Sequence, residues 1–281
     1  MSPKNGQSAN SGSQKSVTWP RLISQTWKTR RLPAEADRLS RTWIDKNPDY
    51  EIRLFDDADS RAVVAEVAPF LLDLYDAAPL PVMRADMFRY AVVYRDGGIY
   101  ADVDMECLKS IAPLANLSPC LLSVEAQLSK VRTRELGYAA PFQIANCIFA
   151  AAPRQTFFLA ALKRIQSLMG TRNSIDVGDV EDVTGPRMLS RLFFEAPWPH
   201  VSVAPQILLM APLNYPDVWP VNRNMYARHR TFGTWKTQRP AISFSRVIIE
   251  RNRLPNPFPR SMAVSSRELV PPRLVTLPGS Q

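Results

Sequence analysis

The chain has 281 residues, of which 46% are hydrophobic and 22% charged, as is ordinary for a globular protein with a substantial core. No stretch approaches the roughly 18 to 20 uninterrupted apolar residues that a membrane span needs, and the polar N-terminus lacks the apolar segment of a secretory signal. The three cysteines have no Cys-x-x-Cys spacing, which argues against a disulfide framework or zinc ribbon and favours a reducing cytosol. We expect each cysteine to be a small buried side chain.

The net charge of +9 at pH 7 is concentrated at the two ends of the chain. Residues 1–31 hold six Lys or Arg and no acidic residue, and residues 246–281 hold six Arg against two Glu, so the body between them is close to neutral. Such ends could bind an anionic membrane surface or could be solvated tails. No basic run is interleaved with stacking aromatics, so nucleic acid is not an expected partner. We expect a cytoplasmic protein, with peripheral contact at the inner membrane face as a further option.

Composition divides the chain into three parts. Residues 1–17 are rich in Ser, Gly, Asn and Gln, which predicts a disordered N-terminal tail. Residues 246–281 are rich in Pro and Arg, which predicts an extended C-terminal tail without a core of its own. The single folded domain is therefore predicted at residues 18–245.

The first elements alternate between strand and helix. We predict a strand within Trp19–Lys28, a helix over Leu32–Lys46 that ends at Asn47-Pro48, and a strand over Tyr50–Phe55. The order strand, helix, strand is typical of a parallel, nucleotide-binding sheet. A helical stretch over Ser60–Ala77, broken at Pro69, follows.

The densest pattern runs from Met83 to Glu106. Apolar residues recur at helical spacing from Met83 onward, and Asp86 and Arg89 lie three apart, so they are neighbours on one helix. Gly97-Gly98 predicts the end of that helix and a tight reversal into a short buried strand, Ile99–Ala101.

Asp102 and Asp104 follow this strand directly. In an extended chain the two side chains would point to the same side, roughly 7 Å apart. A carboxylate pair of this kind binds a hard divalent cation and leaves positions open for substrate phosphates. A solvated loop is the alternative interpretation.

The second half of the chain predicts further strands and helices. We leave residues 125–141 unassigned and predict elements at Cys120–Val124 (strand), Phe142–Ala152 (buried strand), Arg154–Met169 (helix), Arg187–Phe194 (helix) and 197–221 (short strands and loops). Thr184 can cap the helix at Arg187, and Pro186 can occupy its first turn. Asn146 is a single amide in an apolar strand and needs hydrogen-bond partners.

The run Asp86-Met87-Phe88-Arg89-Tyr90 and the run Gly97-Gly98-Ile99-Tyr100-Ala101-Asp102-Val103-Asp104 resemble the Asp-x-Asp region of a glycosyltransferase family. That family includes the yeast initiating α-1,6-mannosyltransferase and bacterial capsule-type sugar transferases, and the glucosyltransferase domains of large clostridial toxins are similar. The resemblance extends over about residues 19–240 and departs at Ser24, where the family usually has His. It implies an α/β fold: one nucleotide-sugar transferase domain of the GT-A type, with a central, mostly parallel sheet flanked by helices.

The resemblance also implies roles for the residues of the dense block. Asp104 would be a direct metal ligand, Asp102 would be shared between the ribose and the metal, and Asp86 and Arg89 would hold sugar hydroxyls and phosphate. The expected metal is Mn²⁺ or Mg²⁺, the donor a UDP- or GDP-sugar, and the acceptor a glycan or lipid-type molecule. Transfer with retention at the anomeric carbon is expected from the resemblance alone.

Further site residues come from the same resemblance, each with a structural alternative. Trp27 would stack on the nucleotide base or pack in the core, and Trp235 would close over the donor or pack in the core. Asn146 would face the donor sugar or shape a bulge, and Thr184-Gly185 would line the site or cap a helix. His229 would be a metal ligand or diphosphate contact, or a structural histidine.

Two rival functions come from other classes. Asp-x-Asp also begins the pattern of a family of metal-dependent phosphohydrolases, but there the pair lies near the first strand with a following Thr, which this chain lacks. A non-catalytic basic protein that docks to membrane or nucleic acid through its ends would leave Asp86, Arg89, Asp102 and Asp104 unexplained.

Overall fold

The computed structural model describes residues 18–213 and 221–230. Its strands are β1 (Leu22–Thr26), β2 (Glu51–Phe55), β3 (Gly98–Ala101), β4 (Met105–Cys107), β5 (Cys120–Gln127), β6 (Phe142–Ile144), β7 (Ile148–Ala151), β8 (Val201–Ala204) and β9 (Ala227–His229). Its helices are α1 (Ala34–Lys46), α2 (Asp57–Val67), α3 (Leu72–Asp76), α4 (Pro81–Asp96), α5 (Lys130–Leu136), α6 (Thr156–Gly170), α7 (Val180–Val183), α8 (Pro186–Glu195) and α9 (Gln206–Leu209). Short 3-10 turns lie at Pro69–Leu71, Ala112–Asn116 and Val221–Asn224.

The central sheet has the strand order β2-β1-β3-β7-β5, and β6 and β8 both pair with β5. The pairs β1–β2, β1–β3 and β5–β8 are parallel, whereas β3–β7, β5–β7 and β5–β6 are antiparallel. A separate small antiparallel sheet joins β4 to β9. The predicted α/β fold with a central sheet flanked by helices is confirmed. The antiparallel course of β6 and β7, which makes the sheet mixed, is the part that the sequence did not predict.

One edge of this sheet collects the ends of several strands. Because β3 and β5 are both antiparallel to β7, they run in the same direction, together with β1, β2 and β8. The carboxyl ends of these five strands therefore lie at one edge, and the residues that precede β7 lie there as well. Ligands of open α/β sheets bind at this kind of edge. Residues that follow β3 and precede β7 are thereby brought together.

The core has one layer on each face of the sheet. Along β3 and β7, Tyr100 and Phe149 pack into the layer that α4, α6 and α8 cover, and Ile99 and Ile148 pack into the layer that contains Trp43 of α1. This alternation follows from the two-residue period of a strand, since successive side chains point to opposite faces. Both faces are buried, which explains the nearly continuous apolar strand sequences.

Gly97 and Gly98 perform the predicted reversal between α4 and β3. Both have positive φ angles, 69° and 80°. A Cβ atom at Gly97 would lie 2.7 Å from Pro153, and one at Gly98 would collide with the carbonyl oxygen of Leu22. Both positions therefore need glycine for backbone conformation, and also for the close approach of Gly97 to Pro153 and of Gly98 to β1.

Other predictions need adjustment. α4 begins at Pro81, and the stretch 125–141 contains the end of β5 and α5, whose first turn is capped by Ser129 Oγ accepting from the Arg132 amide at 3.1 Å. The predicted strand Phe142–Ala152 is interrupted, so that Asn146 lies between β6 and β7.

The predicted tails at 1–17 and 246–281, and residues 231–245 of the predicted domain, lie outside the described residues. Within the described part of the chain, no helix is long and apolar enough to cross a membrane. As predicted, the three cysteines are buried and form no disulfide.

Candidate functional site

The two aspartates lie in a turn at the carboxyl edge of the sheet. The Met105 amide donates to the Asp102 carbonyl at 2.9 Å, which closes a turn between β3 and β4. The expectation of an extended Asp-x-Asp segment is therefore wrong, because the chain turns immediately after β3. The turn is anchored from the neighbouring strand, since the Asp102 amide donates to the Cys147 carbonyl at 2.9 Å.

A buried polar cluster lies beside this turn, and we call Asp86, Arg89, Asn146 and Thr184 the Arg89 cluster. Asp86 accepts from Asn146 Nδ2 on one oxygen at 2.9 Å and from Thr184 Oγ1 on the other at 2.6 Å. Arg89 donates to the Asn146 carbonyl at 2.8 Å and lies 3.4 Å from Asp86. Four predicted site residues, which come from three separate parts of the chain, thus contact one another.

Asp102 connects the turn to this cluster. A guanidinium nitrogen of Arg89 lies 3.2 Å from its carboxylate, and the Tyr100 hydroxyl donates to the same carboxylate at 2.5 Å. The Arg89 guanidinium also lies over the Tyr100 ring, 5.1 Å from its centroid. Tyr100 is a residue of this network that the sequence reasoning missed. Its position two residues before Asp102, on the same face of a strand, was the available signal.

The electrostatics of the cluster follow from its burial. Asp86 and Arg89 are 1% and 5% exposed. Burial raises the pKa of Asp86 to about 6, against the opposing effects of Arg89 and the hydrogen bonds. Burial also raises the pKa of Asp102, again opposed by Arg89. Burial alone would lower the pKa of Arg89, but the carboxylates of Asp102 and Asp86 keep it well above its ordinary value. Arg89 is therefore the positive charge that both carboxylates share.

Arg89 also has one unsatisfied donor. Its Nε is buried and has no hydrogen-bond partner in the described part of the chain. Both oxygens of Asp86, in contrast, accept from protein donors.

The other half of the site is formed where β9 meets the turn, and we call Asp104, His229 and Cys147 the Asp104 edge. His229 Nε2 lies 3.1 Å from an Asp104 carboxylate oxygen, and its Nδ1 lies 4.0 Å from Cys147 Sγ. Although burial acts in the opposite direction, Cys147 and Asp104 raise the pKa of His229 well above its ordinary value. The structure thus places His229 beside Asp104, and its role as a metal ligand or diphosphate contact stays a prediction.

The register of β9 is fixed next to this histidine. Met105 pairs with His229 across the two strands, and the Arg230 amide donates to the Asp104 carbonyl at 2.9 Å. The Arg230 guanidinium forms an ion pair with Glu106, and its Nε donates to a carboxylate oxygen at 2.7 Å. Glu106 and Arg230 flank the candidate ligands and were not singled out from the sequence.

The donor set suits a divalent cation. Asp102, Asp104 and His229 offer carboxylate oxygens and an imidazole nitrogen, and their side chains are 24%, 15% and 22% exposed. Among the described residues, no three His, Cys, Asp or Glu side chains already converge as a complete metal site. A catalytic Mg²⁺ or Mn²⁺ typically takes only one or two carboxylates from the protein and the rest of its ligands from phosphates and water, so the residues present fit such an ion.

The other predicted site residues are two tryptophans and the Thr184-Gly185 pair. Trp27 directly follows β1 at the same edge and is partly exposed, so it is not a core residue. Gly185, not Thr184, is the N-cap of α8, with Pro186 in its first turn; the capping prediction for Thr184 is wrong because its hydroxyl binds Asp86. Trp235 lies outside the described residues.

Ser24 is the position at which the chain departs from the family pattern. It is fully buried near the end of β1, and its Oγ has no hydrogen-bond partner in the described residues. The adjacent Gln25 accepts from the Ser40 hydroxyl at 2.6 Å, and its own Nε2 is likewise unpaired.

Residues 33–121 match a family described as "Glycosyltransferase sugar-binding region containing DXD motif". Residues 33–121 are thus similar to the sugar-binding region of the DXD glycosyltransferases. The matched segment contains Asp86, Arg89, Asp102 and Asp104, and the resemblance proposed from these residues is confirmed. The relatives described next are named for glycosyl transfer, and neither the phosphohydrolase nor the non-catalytic interpretation gains support.

Curated relatives of this chain include several fungal mannosyltransferases. It is 39% identical over 102 residues to inositol phosphoceramide mannosyltransferase 3 of Schizosaccharomyces pombe, covering 36% of this chain and 29% of that protein. It is 30% identical over 166 residues to mannosyl phosphorylinositol ceramide synthase CSH1 of Saccharomyces cerevisiae, covering 59% and 40%. It is 31% identical over 103 residues to the initiation-specific alpha-1,6-mannosyltransferase of Candida albicans, covering 34% and 27%. The chain thus spans less than half the length of these relatives.

Two solved structures are similar to this chain at low sequence identity. The PaToxG glycosyltransferase is 17% identical with a TM-score of 0.45, covering 63% of this chain and 70% of that one. The galactosyltransferase LgtC is 14% identical with a TM-score of 0.44, covering 84% and 98%.

Proposed function

We propose that the chain is a metal-dependent, retaining glycosyltransferase that moves a hexose from a nucleotide-diphosphate sugar to a glycan, lipid or other acceptor. The observation that carries the proposal is the contact between the Arg89 cluster and the Asp-x-Asp turn. A turn with two carboxylates is joined through Arg89 to the buried Asp86, Asn146 and Thr184, at the edge of the sheet where α/β proteins bind ligands.

In this proposal Asp102, Asp104 and His229 hold Mn²⁺ or Mg²⁺. When bound, the cation supplies positive charge that stabilises a departing nucleoside diphosphate. The side chains of Asp102 and Asp104 are only partly exposed. Partial exclusion of water strengthens the attraction between these carboxylates, the cation and the diphosphate. Retention has its support in the family resemblance.

The Arg89 cluster would orient the donor. Its guanidinium, with one unpaired buried Nε, supplies hydrogen-bond donors for phosphate or sugar oxygens. Asp86 would act mainly by fixing Arg89, together with Asn146 and Thr184, because its own oxygens are occupied. Asn146, Thr184 and Gly185 would line the sugar-binding part.

Two tryptophans complete the proposed donor site. Trp27, partly exposed after β1, would stack on the base of a UDP- or GDP-sugar, since any base presents a flat π-face. Trp235 would close over the donor.

The relatives bear on the sugar and the acceptor. Those reported above are named mannosyltransferases or a mannosyl phosphorylinositol ceramide synthase, which supports mannose as the hexose. Two of the names contain an inositol-bearing ceramide, which supports a lipid-type acceptor. We further propose that the protein acts in the cytoplasm, where its basic ends contact an anionic membrane. Sedimentation with phosphatidylserine-containing vesicles, with and without residues 1–17 and 246–281, tests that contact.

A thermal-shift panel tests the proposed donor chemistry. The wild-type chain is heated with UDP-glucose, UDP-galactose or GDP-mannose, each with and without manganese. A ligand at a hundred times its Kd should stabilise by roughly 2.7 kcal/mol, and only in the presence of manganese. The Asp49→Asn variant changes an exposed aspartate and is the matched control for Asp104→Asn, which should lose the shift. No manganese-dependent shift with any nucleotide sugar would contradict the proposal.

A further inference from the structure

Glu125 is a carboxylate at the same edge of the sheet that the proposed donor site does not use. It lies near the carboxyl end of β5, while Asp102 follows β3 and Asn146 and Cys147 precede the strand β7 that lies between them. The sheet order therefore puts Glu125 on the opposite side of the Asn146–Cys147 segment from Asp102.

Backbone contacts bring this segment close to β5. The Ala145 amide donates to the Ser123 carbonyl at 2.8 Å, and Val124 of β5 pairs with Ile144 of β6. Glu125 therefore lies beside the residues that lead into the Asn146–Cys147 segment.

Glu125 is held in place by neutral groups. Gln143 Nε2 donates to Glu125 Oε2 at 2.7 Å, and Gln206 Nε2 donates to the Glu125 carbonyl at 2.6 Å. Tyr138 supports the amide of Gln143 with a long hydrogen bond of 3.5 Å. β6, α9 and the segment after α5 therefore fix both the backbone and the side chain of Glu125.

Glu125 differs in this respect from its acidic neighbours. Within residues 18–213 and 221–230, it forms no ion pair, and its only side-chain partner is an amide. The other carboxylates at this edge each contact a cationic or titratable partner: Asp86 and Asp102 with Arg89, Asp104 with His229, and Glu106 with Arg230. A partly buried carboxylate without an ion pair to any described residue is well suited to accept from a ligand hydroxyl.

We propose that Glu125 binds a ring hydroxyl of a cyclic polyol acceptor, a sugar or an inositol, and orients it toward the donor. This inference rests on the proposed function. In the transfer, the bond between the anomeric carbon and the donor phosphate oxygen breaks, and a bond from that carbon to the acceptor oxygen forms. The acceptor hydroxyl loses its proton to the departing diphosphate. Glu125 remains a carboxylate throughout, and its contribution is to hold the acceptor.

The test compares two rates in the full chain with manganese and whichever nucleotide sugar of the panel stabilises it most. One is hydrolysis, in which water takes the sugar. The other is transfer to methyl α-D-mannopyranoside, or to phosphatidylinositol in phosphatidylcholine vesicles. Glu125→Ala should lower the ratio of transfer to hydrolysis by about 10- to 100-fold, the size expected for one hydrogen bond to a charged group. Hydrolysis and manganese-dependent nucleotide binding should stay within about threefold of the wild type.

Three variants sharpen the test. Glu125→Gln keeps an acceptor oxygen and should lose less transfer than Glu125→Ala, whereas Glu125→Asp keeps the charge but withdraws it by one methylene and should lose nearly as much. The Asp variant gives the same comparison if the Ala variant fails to fold. Glu135→Ala removes a 54% exposed carboxylate from α5 and should change neither rate.

Three results would overturn the inference. Transfer could be unchanged in Glu125→Ala and Glu125→Asp. Hydrolysis and nucleotide binding could fall as much as transfer, which would place Glu125 on the donor side. The wild type could hydrolyse the donor and transfer to neither acceptor, which would contradict a cyclic polyol. Failure of the proposed function is distinct, since the wild type would then show no manganese-dependent hydrolysis at all.

Discussion

The Arg89 cluster and the Asp104 edge lie side by side but differ in how fully the protein satisfies them. In the Arg89 cluster, Asp86 and Arg89 are almost completely buried, and both Asp86 oxygens accept from protein donors. At the Asp104 edge, Asp104 and His229 are partly exposed and contact each other across two short strands. The first region is an interior network whose proposed contact to a ligand is Arg89, and the second is the more exposed of the two.

Because of this difference, substitutions in the two regions should affect stability to different degrees. A buried ion network loses stability when one partner is removed, because the remaining charges stay buried and uncompensated. A partly exposed carboxylate loses little stability when it is neutralised, since water can solvate its neighbours. Substitutions in the two regions should therefore have different signatures, and the following predictions test this division.

The largest effect on stability is expected for Arg89→Met. It removes the cation that Asp86 and Asp102 share, so the free energy of unfolding should fall by about 3 to 5 kcal/mol in urea denaturation. Arg38→Met is the matched control, because Arg38 pairs with Glu35 on the exposed face of α1, and it should lower the free energy of unfolding far less than Arg89→Met does. Equal losses in the two variants would show that the cluster does not stabilise the fold.

Asp104→Asn should show the opposite signature. Manganese-dependent donor hydrolysis should fall by about 100-fold or more, which is the usual size for loss of one group that stabilises developing charge. The free energy of unfolding without metal should change by less than about 1 kcal/mol, since the side chain is partly exposed. A large loss of stability together with retained hydrolysis would reverse the roles assigned to the two regions.

Asp86 gives the interior network a pH dependence. Its pKa is about 6, above the ordinary value of 3.8, so between these values the folded state binds more protons than the unfolded state. Stability should therefore fall as the pH rises through this window and change no further above it. Relative to Asp86→Asn, the wild type should lose about 2 kcal/mol between pH 4.5 and pH 7 in urea denaturation. A stability difference that is constant with pH would contradict the raised pKa.

The smallest effect is expected at the partly exposed Trp27. Trp27→Ala should weaken manganese-dependent nucleotide binding by about tenfold, and Trp27→Phe by less, because one base–aromatic stack contributes roughly 1 to 3 kcal/mol. Calorimetric titration with UDP and GDP measures both. Unchanged affinity in the Ala variant would remove Trp27 from the nucleotide site.

Local patterns in the sequence predicted most elements but only part of the site. The helical spacing around Asp86 and Arg89, the Gly97-Gly98 stop and the short strand before Asp102 predicted the dense block well, because neighbours along the chain determine all three. The β-turn between Asp102 and Met105 was not predicted, since it depends on an anchor at Cys147.

Contacts between distant segments were the main omission. The sequence leaves the Thr184 hydroxyl open between capping a helix and lining the site, and it does not predict the hydrogen bond to Asp86, 98 residues earlier in the chain. Glu125 lies in a stretch without a clear periodicity, and its position across β7 from Asp102 follows only from the antiparallel course of β7. Such contacts are fixed by sheet order, which the periodicity of single segments does not reveal.

The central claim is that this edge of the sheet is a metal-dependent, retaining donor site. Proton NMR of the wild type and Asp104→Asn with GDP-mannose, followed with and without manganese, tests it most directly. We predict manganese-dependent cleavage that first releases mannose as the α-anomer, and about 100-fold slower cleavage in Asp104→Asn. First release of the β-anomer, cleavage independent of manganese, or equal rates in the two proteins would contradict the account.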